Sequence, residues 1–171
     1  MRLAIFIPQK DFKDESLSLI KLIFDKWGVQ YSIAAYGKGG VGTHGALVKA
    51  DIRPEEMTTD QFDGIVFVDG KGIDDQKVYD YRPLLEIVMR FNEANKYVIA
   101  VGNAVKIPCR ANIVKARKVA VGDEETMRLA RLFYGIPSPN PVEGMGNLVT
   151  IKNSKAIEDS MEQWLAFIGL M

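Results

Sequence analysis

Short apolar runs alternate with amphipathic stretches from one end of this chain to the other. Residues 3–7, LAIFI, are continuous, β-branched and aromatic, as expected of a strand buried on both faces. Pro8 has no N–H to offer a ladder and ends the run. Over 14–27, DESLSLIKLIFDKW, the period changes. Leu17, Ile20, Leu22, Ile23 and Trp27 fall at helical spacing, with Leu19 and Phe24 widening the stripe. Asp14 and Glu15 suit the positive end of that helix, and Gly28 suits its stop. The same reading predicts strands over 29–36, 46–52, 61–68, 96–101, 118–121 and 147–151. It predicts helices over 78–95, 123–134 and 154–169, and a helix broken by Pro108 over 103–115. The turn-rich stretch 37–45 and the Pro-rich stretch 137–141 read as loops.

Such alternation predicts an α/β fold, a mostly parallel sheet with helices on both faces in a three-layer sandwich. No linker divides the 171 residues, so one domain over 1–171 is expected. In these sheets ligands sit outside the carboxyl ends of the strands. That directs attention to residues 8–15, 69–75, 102–106, 122–125 and 152–154.

Composition narrows the function classes. Lys and Arg number 22 and Asp and Glu 22, so no basic excess points to nucleic acid. No apolar run approaches the roughly 20 residues of a bilayer span. The stretch Leu3–Ile7 is too short for a secretory signal. The sole cysteine, Cys109, excludes an internal disulfide and suits a reducing cytoplasm.

One glycine-rich motif tempts a nucleotide-binding reading. GKGGVGT at 37–43 resembles a phosphate loop, but no Lys-Ser/Thr pair ends it, and strand-like ALVKADI follows where a helix is required. A hairpin is the better reading. The single histidine, His44, then lies in its turn, and one histidine alone makes no metal site. The loop PQKDFKDES lacks the glycine and Ser/Thr cluster that wraps a flavin phosphate.

Several segments together resemble the ThiJ/PfpI superfamily. AIFIPQKDFKDESL resembles its opening strand, acidic loop and helix. Gly42-Thr43-His44-Gly45 and Val48-Lys49-Ala50-Asp51 resemble its hairpin, and Phe62-Asp63-Gly64-Ile65-Val66 its third strand. Asp69-Gly70-Lys71 resembles its Gly-Gly-Arg turn. Val98–Ala104 resembles the segment that carries its nucleophile, and Gly146-Asn147-Leu148-Val149-Thr150 its last strand. The resemblance implies a flavodoxin-like sandwich of the class I glutamine amidotransferase type. It implies a cysteine nucleophile on a strained elbow with a histidine after it and an acid from the first loop nearby. It also implies assembly as a homodimer or larger homo-oligomer.

This chain departs from that pattern. Gly102 falls at the cysteine position, Asn103 at the histidine position and Ala104 at the following glycine, while the loop acid falls on Ser16. Glycine removes the strain an elbow imposes and supplies no nucleophile. Cys109, seven residues on and beside Arg110, reads as a packed apolar residue. The expectation is a family member without cysteine chemistry, metal or cofactor, which binds a small polar metabolite or a partner. The candidate ligand residues are Glu15, Asp69, Gly70, Lys71, Asp74, Gly102, Asn103 and Asn153, among neighbours Lys13, Asp14 and Lys106. The alternative is a hydrolase, amidase, protease-like or glyoxalase-type enzyme working through carboxylates such as Glu15, Asp14 and Asp74, or through Cys109.

Overall fold

A computed structural model describes residues 1–171. In chain order the elements are β1 (Arg2–Phe6), β2 (Lys10–Phe12), α1 (Asp14–Lys26), β3 (Gln30–Ala34), β4 (Gly39–Gly42) and β5 (Leu47–Lys49). Then come β6 (Gly64–Phe67), α2 (Lys71–Asp75), α3 (Arg82–Glu93), β7 (Tyr97–Val101), α4 (Lys106–Arg110) and β8 (Lys118–Ala120). The chain closes with α5 (Glu124–Leu132), β9 (Ile136–Ser138), β10 (Val142–Met145), β11 (Leu148–Ile151), α6 (Ser154–Asp159) and α7 (Met161–Phe167).

Six strands pair in the order β10-β11-β7-β6-β1-β3. All neighbours run parallel except β10, which returns antiparallel to β11 at the edge. The two-residue period of a strand splits its side chains between two cores. Leu3, Ile5 and Ile7 face a cluster built with Leu17, Ile20 and Phe24 of α1 and with Ile157, Trp164 and Leu165 of α6 and α7. Ala4 and Phe6 face the other, with Leu84, Val88 and Phe91 of α3 and Ile107 and Ala130 beyond. Helices thus cover both faces, as the alternation predicted.

Several local expectations are corrected. Residues 118–120 leave the main sheet and pair in parallel with Ile136–Ser138, so the Pro-rich stretch begins as a strand. Pro137 is tolerated there because a two-stranded ribbon leaves one side of each strand unpaired. β2, β10 and α2 are too short to give a periodic signal in the sequence. The helix expected over 154–169 breaks at Ser160, whose φ of −116° and ψ of 27° depart from helical geometry. Leu22 is 67% exposed, since it lies well round the helix from the Leu17–Ile20–Phe24 stripe. On the last helix Trp164 and Ile168 join the core, whereas Phe167 and Met171 stay exposed.

The glycine-rich stretch does form a hairpin. β4 and β5 run antiparallel, and β2 joins β4 as a third strand. The Asp14 carboxylate fastens the hairpin to the start of α1, accepting the backbone N–H of His44 at 2.9 Å and of Ala46 at 3.0 Å. Burial pushes the Asp14 carboxyl up, but these amides outweigh it and hold the group below its ordinary range.

Candidate functional site

β1, β6 and β7 lie side by side and parallel, so the turns leaving them meet at one end of the sheet. Asp69 and Gly70 follow β6, and Gly102 follows β7. Val101 is still extended, whereas Gly102 turns left-handed, with φ +55°, into a 3-10 turn over Gly102–Val105. Any other residue would bear about 1–3 kcal/mol of backbone strain there. Space is tight as well, and the Asp69 side chain would have to shift to admit one. A Cβ on Gly102 would stand 2.7 Å from Asp69 Oδ2 and 3.0 Å from Asp69 Cβ. The Asp69 side chain therefore fills the volume directly over the turn.

Asp69 is 5% exposed. Its backbone carbonyl accepts the Lys13 N–H at 2.8 Å, while its Oδ1 is buried without any hydrogen-bond partner. Burial pushes the carboxyl above its ordinary range. The Ser16 hydroxyl and the Lys13 ammonium oppose that shift, and the Glu15 carboxylate adds to it.

Asn103 acts as a clamp. Its Nδ2 donates to the Gly70 carbonyl at 2.7 Å and to Asp74 Oδ2 at 3.0 Å, and its Oδ1 accepts the Gly70 N–H at 3.1 Å. These bonds lock the turn after β6 to the exit of β7. Gly70, at φ +149°, lets that turn lie against β2, where a Cβ would press on the Asp11 carbonyl. Asp74 also accepts from Lys106 Nζ at 2.6 Å. The same ammonium reaches Glu125 at 2.8 Å and lies 5.3 Å from the Tyr79 ring centroid. The Lys106 side chain is only 2% exposed. Burial pulls its ammonium down, but the two carboxylates outweigh burial and hold it above the ordinary lysine value.

Above this floor opens a cleft of about 340 Å³. Lys13, Asp69, Lys71 and Asn103 line it from the strand exits, Thr43 and His44 line it from the hairpin, and no hydrophobic residue does. Of the expected ligand residues, Asp69, Gly70, Lys71 and Asn103 line the cleft, and Gly102 lies under the Asp69 carboxyl. Asp74 sits below, committed to Asn103 and Lys106. Glu15 is exposed on the first turn of α1 and is not among the lining residues. Asn153 caps α6, its Oδ1 accepting the Ala156 N–H at 3.0 Å. Ala104 is buried behind the turn. Thr43 and His44 were not among the candidates. His44 is held there by Asp14, 30 residues earlier, and Thr43 by its N–H donating to the Phe12 carbonyl at 3.0 Å, neither of which any local pattern reveals.

Cys109 is fully buried on α4, and burial alone pushes its thiol up to about 12. Iodoacetamide near neutral pH is therefore expected to leave Cys109 unmodified in the native protein and to modify it in urea. Intact-mass spectrometry reads the difference, and rapid native labelling would contradict the burial. No group of three or more His, Cys, Asp or Glu stands close enough to hold a metal ion.

Comparison with known proteins adds four findings. The model of the DJ-1/PfpI family matches residues 1–166. An uncharacterized protein of Methanocaldococcus jannaschii is 28% identical over 154 residues, 89% of this chain and 75% of that protein. The deglycase PfpI of Pyrococcus furiosus is 27% identical over 115 residues, 67% of this chain and 68% of the deglycase. Among solved structures, a ThiJ/PfpI domain protein from Brachyspira murdochii superposes with a TM-score of 0.91 at 21% identity, covering 99% of this chain and 97% of that one.

Proposed function

The chain belongs to the DJ-1/PfpI family, and from that footing we propose that it binds a small polar molecule and lacks the cysteine-based catalysis expected from the resemblance. One observation carries the reading. Gly102, which we align with the family's nucleophile, has a left-handed φ, and the Asp69 carboxyl occupies the space its side chain would need. Asn103, which we align with the histidine, is held in three hydrogen bonds to Gly70 and Asp74, and a neutral amide is no proton-transfer group. The one thiol in the chain, on Cys109, is buried in α4.

A second reading, an enzyme of the hydrolase, amidase or glyoxalase type, is favoured by one feature. The buried Asp69 carboxyl stands at the head of the sheet beside the cleft. Turnover of methylglyoxal and of a fluorogenic peptide separates the two. The purified protein is expected to give no rate above buffer. A rate lost in Asp69→Asn would install the second reading and sink the first.

The same proposal takes the chain as one cytoplasmic domain that self-associates. The family resemblance supports self-association, and no helix is long and apolar enough to cross a membrane.

A further inference from the structure

We propose that the turn joining α5 to β9 docks the chain on the surface of an anionic lipid bilayer. Leu132, Tyr134 and Ile136 enter the headgroup layer, and Lys115, Lys118 and Arg131 meet the lipid charges.

Single apolar side chains scattered over a surface are ordinary, whereas several large ones side by side mark a contact surface. Leu132 ends α5 and is 66% exposed, Tyr134 is 73% exposed, and Ile136, which opens β9, is 48% exposed. The backbone holds them together on one turn. Tyr134 is left-handed at φ +64°, and its carbonyl accepts the Ala116 N–H at 2.9 Å. The Ile136 N–H goes to the Arg117 carbonyl at 2.8 Å. Met145, also exposed, extends the ridge, its Sδ accepting the Lys118 N–H at 3.1 Å. None of these four side chains belongs to either buried core.

Charge tells what covers the ridge. Lys115 and Lys118 are exposed on the segment that runs beside Tyr134 and Ile136, and Arg131 is exposed just before Leu132. None of the three forms an ion pair. The acids of the flanking elements are engaged elsewhere. At the opposite end of α5, Asp123 accepts the Thr126 N–H, Glu124 faces Arg128 at 3.8 Å and Glu125 holds Lys106 at 2.8 Å. Glu143 of β10 accepts from Asn140 Nδ2 at 3.0 Å. An apolar ridge collared by free cations fits an anionic partner.

A second copy meeting the same face about a two-fold axis would set these cations against themselves. Strand addition is blocked as well. The Ile136 N–H and the Ser138 carbonyl bond to the β8 side, which leaves Pro137 facing outward with no N–H to give. Docking is therefore through side chains. Three of them standing out from one turn suit a bilayer, which yields around them, and the apolar ring and polar tip of a tyrosine match the headgroup layer. The chain lies on the bilayer, since no helix is long and apolar enough to cross it.

Co-sedimentation of the full chain with vesicles tests this. Phosphatidylcholine vesicles with about one-third phosphatidylglycerol are expected to bind the chain at least about tenfold more tightly than phosphatidylcholine alone. Raising salt from about 0.1 M to about 0.5 M is expected to release it. Lys115→Gln with Lys118→Gln is expected to weaken binding by about tenfold or more. Leu132→Gln with Tyr134→Asn is expected to weaken it by about tenfold too, asparagine being at ease in the left-handed turn. All four side chains are exposed, and melting curves confirm that the variants fold. Equal binding to the two kinds of vesicle would overturn the proposal, as would undiminished binding in either folded double variant. A native chain that stays in solution with both vesicles would overturn it too, and its retention on immobilised polyglutamate would then assign the ridge to an acidic protein. Sedimentation velocity that finds the native chain associated and the Leu132→Gln, Tyr134→Asn variant monomeric would give the ridge to a second copy instead.

Discussion

Replacing Gly102 by alanine is expected to destabilise the protein by about 2–6 kcal/mol, one of the larger losses any single change should produce here. Two costs combine. The left-handed backbone at φ +55° charges a non-glycine residue about 1–3 kcal/mol. Overlap of the new Cβ with Asp69, 2.7 Å from Oδ2, adds about 1–3 kcal/mol of overpacking. For a chain of this size each kcal/mol moves the midpoint by about 2–4 °C, so thermal melting sees the change easily. A double-mutant cycle separates the terms. Asp69→Gly removes the overlap and leaves the backbone cost, so the double variant should be more stable than the sum of the singles predicts, by about 1–3 kcal/mol. Strict additivity would mean that Asp69 does not hold that volume.

The second large effect lies beneath the cleft. Asp74→Asn together with Glu125→Gln keeps the shapes but leaves the Lys106 ammonium buried without a counter-charge. Breaking a fully buried pair costs about 3–5 kcal/mol, and we expect about 2–3 here because the Asp74 and Glu125 side chains are 39% and 71% exposed. Adding Lys106→Met to that background should recover most of the loss, since an apolar residue of similar length needs no partner. The pH dependence has a definite sign. Lys106 has a folded value above its ordinary 10.5, so its stabilisation is complete below 10.5 and is lost as pH rises through the folded value. Urea midpoints measured across that range should fall in the native protein. The Asn/Gln variant should lose less of its midpoint there. Equal slopes in the two proteins would show that the carboxylates do not stabilise the ammonium.

The parts of the fold that the sequence discloses are those fixed by local pattern. LAIFI and YVIAV are strands because a run apolar on both faces fits only the middle of a covered sheet, and both lie there. Leu17, Ile20 and Phe24 mark one helical face, and all three are buried. Where pattern is thin, tertiary pairing decides. Residues 136–138 become a strand because residues 118–120 lie alongside, and Val142–Met145 becomes one because it folds back on β11. The candidate site divides the same way. A glycine ending a buried strand declares a turn at 102. That the Asp69 side chain stands over that turn depends on the register of β6 against β7, which brings together exits about 33 residues apart and leaves no local trace.

The contact between Gly102 and Asp69 has a consequence in evolutionary time. It works as a ratchet. While Asp69 stands over the turn, every substitution that gives residue 102 a side chain meets steric overlap on top of backbone strain. The order of change is therefore biased: once Asp69 has shrunk, a side chain at 102 meets the backbone cost alone.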